Sequence, residues 1–185
     1  ADADIVAIQE LSPGALDVLG PALQASYPHT TLYPANGASG SGVFSRYPIL
    51  EDTTWQGAFI NQRVVLDFNG QPLTLYNVHP PPPIGSGGFT FDVRNAEIDD
   101  IIARVDAEPR DVPLVVAGDF NMGDKTPRYE ALQTRLGDAW AQAGQGLGFT
   151  FSPLAMLLLF RIDYIWHNDG LLPTGADVYA NGGSD

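Results

Sequence analysis

The apolar residues of this chain come in short runs. Such runs suit buried strands better than helices, which need longer stretches. Residues 5–8 read as a first strand, ending in Gln9-Glu10. Further strands are expected at 30–33, 43–44, 49–50, 64–68, 73–78, 114–117 and 162–166. Asn69-Gly70 is a hairpin signal between two of them, because both residue types accept the positive φ of a tight turn. Pro80–Pro83 then offer no N–H to a ladder, so the preceding strand stops at His79. Residues 84–88 are expected to continue as a loop, and the Gly- and Ser-rich stretch 36–42 as a loop or tight turn.

Helical spacing lies between these runs. Ser12-Pro13 and Thr126-Pro127 each combine an N-cap residue with proline at the first helical position. Leu16, Leu19 and Leu23 follow the first, and Tyr129, Leu132 and Leu136 the second. A helix is predicted over 92–107, with Ile98, Ile101, Ile102 and Val105 on its apolar face. Several strands alternate as if one face were wet. Two β-sheets packed on each other with helices outside fit this pattern; a doubly wound parallel sheet competes, but the hairpin-like middle argues against it. Nothing in the composition breaks residues 1–185 into two domains, and the length is that of one.

Nine Lys and Arg face 22 Asp and Glu, a formal net charge of −13. Such a surface repels phosphate backbones at long range, which argues against tight, stable nucleic-acid binding. A metal ion can still draw an anionic group into one cleft. The absence of cysteine removes thiolate nucleophiles and Cys-ligated metal sites. The longest apolar run, 154–160, is far shorter than the roughly 20 residues of a membrane span.

Acids stand at three strand ends: Glu10, Asp119 and Asp163. Taken singly, each reads as a solvated cap or turn former more readily than as a ligand. Gly118-Asp119-Phe120-Asn121 is more specific, since Gly lets the backbone turn after a buried strand. Asp119 and Asn121, two apart, share a face. Asn77-Val78-His79 also ends a buried strand, and the prolines after it hold His79 stiffly. Arg161 and Asp163 are expected on one face of the late strand, with Ile162 and Tyr164 on the other. Carboxylates, an Asn and a His together supply oxygen ligands for a hard cation, a group for water and donors for developing charge.

In order, the chain shows Ile8-Gln9-Glu10, the run Ser41-Gly42-Val43-Phe44-Ser45-Arg46-Tyr47-Pro48-Ile49, Asn77-Val78-His79, Gly118-Asp119-Phe120-Asn121, Arg161-Ile162-Asp163-Tyr164-Ile165 and Gly183-Ser184-Asp185. This succession resembles the endonuclease/exonuclease/phosphatase superfamily, the group of DNase I and the exonuclease III-type nucleases. Each motif alone is weak, but six in the right order are strong. The resemblance implies an α/β (α+β) four-layer αββα sandwich, two mixed sheets face to face with helices outside. It assigns Glu10 and Asp185 to a metal, Mg²⁺ with Mn²⁺ as the substitute. It assigns Asp119 to the attacking water, Asn121 and His79 to the phosphate, and Asp163 to pairing with a catalytic histidine. Arg94 falls where many members carry an Arg, without an assigned role.

Against the family pattern, the first strand with its Asn and the His after Ser184-Asp185 fall outside the chain. The expectation is weak or no activity for residues 1–185 alone. The implied reaction is metal-dependent hydrolysis of a phosphate mono- or diester by activated water. The partner is a phosphate ester: a small molecule, a lipid headgroup or a nucleic acid. A Mg²⁺-dependent nuclease is the alternative within the family, and a non-catalytic binding module on the same fold is the alternative of another class. The chain also resembles the soluble domain of bacterial members with an N-terminal membrane anchor, which would lie outside these residues.

Overall fold

The computed structural model describes residues 2–85, 88–89, 91–152 and 159–179. Its elements, in chain order, are β1 (Ile5–Gln9), α1 (Pro13–Leu23), β2 (His29–Tyr33), β3 (Ser41–Ser45), β4 (Ile49–Gln56), β5 (Ile60–Phe68), β6 (Gln71–Val78), β7 (Ile84–Gly85), β8 (Gly88–Phe89), α2 (Asp92–Ala107), β9 (Leu114–Asp119), α3 (Pro127–Gln133), β10 (Gly137–Asp138), α4 (Ala139–Ala143) and β11 (Asp163–His167), with a 3₁₀ turn at Gly37–Ser39. Ser12 and Thr126 cap α1 and α3, their side chains accepting from the N–H groups of Ala15 and Tyr129. That satisfies one of the donors every helix start leaves open.

Two sheets carry the molecule. The smaller is antiparallel with order β1-β3-β2, and the larger is mixed with order β10-β11-β9-β6-β5-β4. Among the described strands only β6 and β9 pair in parallel, with Val78 beside Gly118. Such a pair needs a crossover, and α2 is in it. β1 and β2 flank β3 and so share a direction; α1 is their crossover. The larger sheet buries both faces. On one, Tyr76, Val78, Val116, Tyr164 and Trp166 meet Ile98, Ile101, Ile102 and Val105 of α2 and Tyr129 and Leu132 of α3. On the other, Val64, Leu66, Leu73 and Leu75 meet Val43 of the smaller sheet.

Polar side chains also bridge the sheets. Gln9 of β1 donates to Asn77 Oδ1 of β6 at 2.5 Å. The Asn77 amide nitrogen lies 3.1 Å from the Ile8 and Gly42 carbonyls and 3.0 Å from Ser41 Oγ. Ser41 donates to Gln62 Oε1 at 2.6 Å. Asn77 and Gln62 are wholly buried, so the network fixes the register between the sheets directly behind the strand ends.

Three local expectations need revision. Residues 84–88 are not simply a loop, because Ile84–Gly85 pairs with Gly88–Phe89 as a short hairpin. β4 runs over eight residues where only its first two are apolar enough to be read as a strand. Its outer positions are wet, so its pairing with β5 rather than burial defines it. β11 begins at Asp163, and Arg161 does not share the face of Asp163. Its guanidinium lies 4.6 Å above the buried Tyr164 ring, on the helix-covered side, while Asp163 is exposed.

Candidate active site

Three neighbouring strands of the larger sheet deliver side chains to one edge. β6 ends at Val78, so His79 follows it; β9 ends at Asp119; and β11, running the other way, starts at Asp163. Asp119 and Asp163 are direct partners in the antiparallel ladder, which places both carboxylates on one face. The smaller sheet adds Glu10, just beyond β1.

Glu10 has φ of 58°, a conformation that costs a non-glycine residue free energy unless its surroundings impose it. The next residue does so. Leu11 is fully buried, its N–H donates to the Gly40 carbonyl at 3.2 Å, and its carbonyl accepts from Ala35 N–H at 3.0 Å. Pinned there, the turn swings the Glu10 carboxylate outward, toward His79. His79 Nε2 stands 3.9 Å from Glu10 Oε1 and 3.9 Å from Asp119 Oδ2. The three groups come from two sheets and adjoin one another.

His79 is held from behind. Its backbone N–H donates to Asn61 Oδ1 at 2.9 Å, and Phe59 packs on its ring with centroids 4.7 Å apart. Burial pushes the imidazole below its ordinary pKa range, offset in part by the Ala38 backbone, so at neutral pH it is the uncharged form that faces the carboxylates. Asn121 also has positive φ, 49°, which Asn tolerates. Its N–H donates to Asp119 Oδ1 at 2.7 Å and its amide to the Pro80 carbonyl at 3.0 Å. Arg94, buried at the start of α2, donates to the Asn121 carbonyl at 2.6 Å. The role left open for Arg94 is thus to hold the backbone of the Asp119–Asn121 turn.

Asp163 borders the group on the far side of Asp119. Its N–H and that of Ile162 both donate to Thr150 Oγ1, at 3.2 and 3.1 Å. Asp185 and Ser184 lie outside the described residues. The structure therefore brings Glu10, His79, Asp119 and Asn121 together and sets Asp163 beside them. Reading the sequence missed the supports, namely Asn61, Phe59, Leu11 and the Asn77 network. Asn77 alone left a trace there, as a polar residue inside an apolar strand run.

A hard cation such as Mg²⁺ keeps several waters and is usually held by one or two carboxylates. Glu10 fits that pattern, with an exposed carboxylate opening on a strongly acidic molecule. Among the described residues no three His, Asp or Glu form an all-protein metal cage.

The family model described as "Endonuclease/Exonuclease/phosphatase family" matches residues 1–185. Among curated proteins nothing matches. Sphingomyelinase C from Streptomyces griseocarneus superimposes with a TM-score of 0.72 at 20% identity, over 90% of this chain and 71% of that one. An endonuclease/exonuclease/phosphatase from Bacteroides vulgatus gives 0.73 at 20% identity, over 91% and 74%. A beta toxin mutant from Staphylococcus aureus with bound magnesium ions gives 0.71 at 18% identity, over 90% and 71%. These likenesses concern the fold, a four-layer sandwich of two sheets flanked by helices. With the whole chain matched by the family model and the motif residues gathered at one sheet edge, the chain belongs to the endonuclease/exonuclease/phosphatase family.

Proposed function

We propose that this chain carries the site of a divalent-metal-dependent phosphoesterase, which hydrolyses a phosphate ester by in-line attack of water. The position of the neutral His79, 3.9 Å from both the Glu10 and the Asp119 carboxylates, carries the reading. Glu10, with Asp185 from outside the described residues, would hold the cation, Mg²⁺ or Mn²⁺, which would neutralise charge on the phosphoryl oxygens. Asp119 orients and deprotonates the water, with its Oδ1 fixed by the Asn121 N–H. His79, as a neutral donor, and the Asn121 amide contact the phosphate. Asp163, opposite Asp119 in the ladder, serves to orient a catalytic histidine. The magnesium in the beta toxin structure and the phosphodiester that a sphingomyelinase cleaves support the reading by analogy.

The acidic surface favours a small phosphomonoester, or a lipid or sugar phosphodiester, over long duplex DNA. The deciding measurement is turnover of a chromogenic phosphodiester with Mg²⁺ or Mn²⁺, beside plasmid nicking at several salt concentrations. Asp119→Ala should lower kcat by on the order of 10²–10⁴-fold, as loss of a general base does. Undiminished metal-dependent turnover in that variant removes the assignment. Failure of the protein to bind Mn²⁺ at all would leave a binding module on this fold as the better account.

A further inference from the structure

The turn between β4 and β5 is held to α2 by a group outside the site described above. Glu97 of α2 accepts from the Ala58 backbone N–H through Oε1 at 2.6 Å. Its other oxygen is buried without a hydrogen-bond partner among the described residues. The carboxylate lies flat on the turn because residue 57 is glycine: a β-carbon there would sit 2.4 Å from Glu97 Oε2. Within the turn, Gly57 N–H donates to the Phe59 carbonyl at 3.0 Å, and that carbonyl also accepts from Asn61 Nδ2 at 3.3 Å. Phe59 and Asn61 are the two residues that hold His79, by ring packing and by the bond to its N–H. Burying one oxygen of a half-exposed carboxylate without a partner costs desolvation, which a neutral residue would avoid.

We propose that Glu97 is a positioning residue for His79. It anchors the 57–59 turn, and through Phe59 and Asn61 it sets the orientation of the imidazole toward Glu10 and Asp119. The inference rests on the phosphoesterase reading only for its effect on rate; its effect on the imidazole is independent of any activity.

The test is ¹H–¹³C NMR of the histidine rings in the intact protein, three of which lie in residues 1–185, with the His79 signal assigned by its loss in His79→Gln. Glu97→Ala should move and broaden the His79 ring signals and leave those of His29 and His167 in place. In the same variant kcat should fall on the order of tenfold with KM unchanged. Glu97→Gln keeps an acceptor for Ala58 and should restore both. Should Glu97→Ala not fold, Gly57→Ala displaces the carboxylate instead, with the same expected shift at His79. An unmoved His79 signal in whichever of the two variants folds, or no restoration by Gln in a folded protein, overturns the proposal. Wild-type protein without turnover, but with the His79 shift present, would sink the phosphoesterase reading and leave the positioning role standing.

Discussion

Gly118 runs so close to Val78 that a β-carbon on it would stand 1.9 Å from the Val78 carbonyl oxygen, with φ at 150°. The two residues are partners in the parallel pair of β6 and β9, one step before His79 and Asp119. Their contact therefore sets the spacing of two catalytic candidates. Gly118→Ala has to push β6 and β9 apart, at a cost on the order of 3 kcal/mol or more. The expected result is a lower urea midpoint together with loss of turnover, beyond what stability alone explains. A variant that keeps the wild-type midpoint would show that the strands can separate freely.

Arg161 and Asp138 form a nearly dry ion pair, Nη1 to Oδ2 at 2.6 Å, with side chains 7% and 1% exposed. Asp138 also caps α4, accepting from the N–H groups of Trp140 and Ala141, and takes the Tyr129 hydroxyl at 2.8 Å. Arg161→Ala leaves that buried carboxylate with its three hydrogen bonds but without its counter-charge. Breaking a buried pair on one side costs about 3–5 kcal/mol, and Lys should recover only part, since it cannot stack on Tyr164 with a planar fork. Denaturant unfolding of the two variants checks this, and an Arg161→Ala midpoint within error of wild type would contradict it.

Stability should respond to acid through Glu108, which caps the end of α2. Burial raises its pKa, but the Arg63 fork, at 2.5 and 3.1 Å, and the Tyr76 hydroxyl, at 2.7 Å, outweigh it and hold the carboxyl below the ordinary range. A folded-state pKa below the unfolded value of about 4.3 means that the unfolded chain binds the proton more readily. The contribution is complete above that value and is lost as pH falls through the lowered one. Urea midpoints measured from neutral pH down to about 3 should decline, and Glu108→Gln should lower the neutral midpoint while flattening that decline. An acid limb identical in wild type and variant would remove Glu108 from the account.

Much of the scaffold is legible in the chain. α2 spans the residues its periodicity predicts, and the two Ser/Thr-Pro caps start helices where expected. Asn69 and Gly70 both have positive φ in the turn joining β5 and β6, as that pair predicts. The misreadings share a cause. β4 and the β7–β8 pair are each defined by a partner across a short turn, and wet strands leave little apolar trace. Alternation alone puts Arg161 on the face of Asp163, but the strand starts two residues later.

By itself the sequence determined most of the strands and helices and the polar residues that end them, because propensity, capping and apolar spacing act within a few residues. Only the tertiary structure decided that Glu10 from one sheet meets His79 and Asp119 from the other, and that Glu97, Asn61 and Asn77 stand behind them. Those meetings depend on sheet register and inter-sheet packing, which are fixed by contacts between residues far apart along the chain.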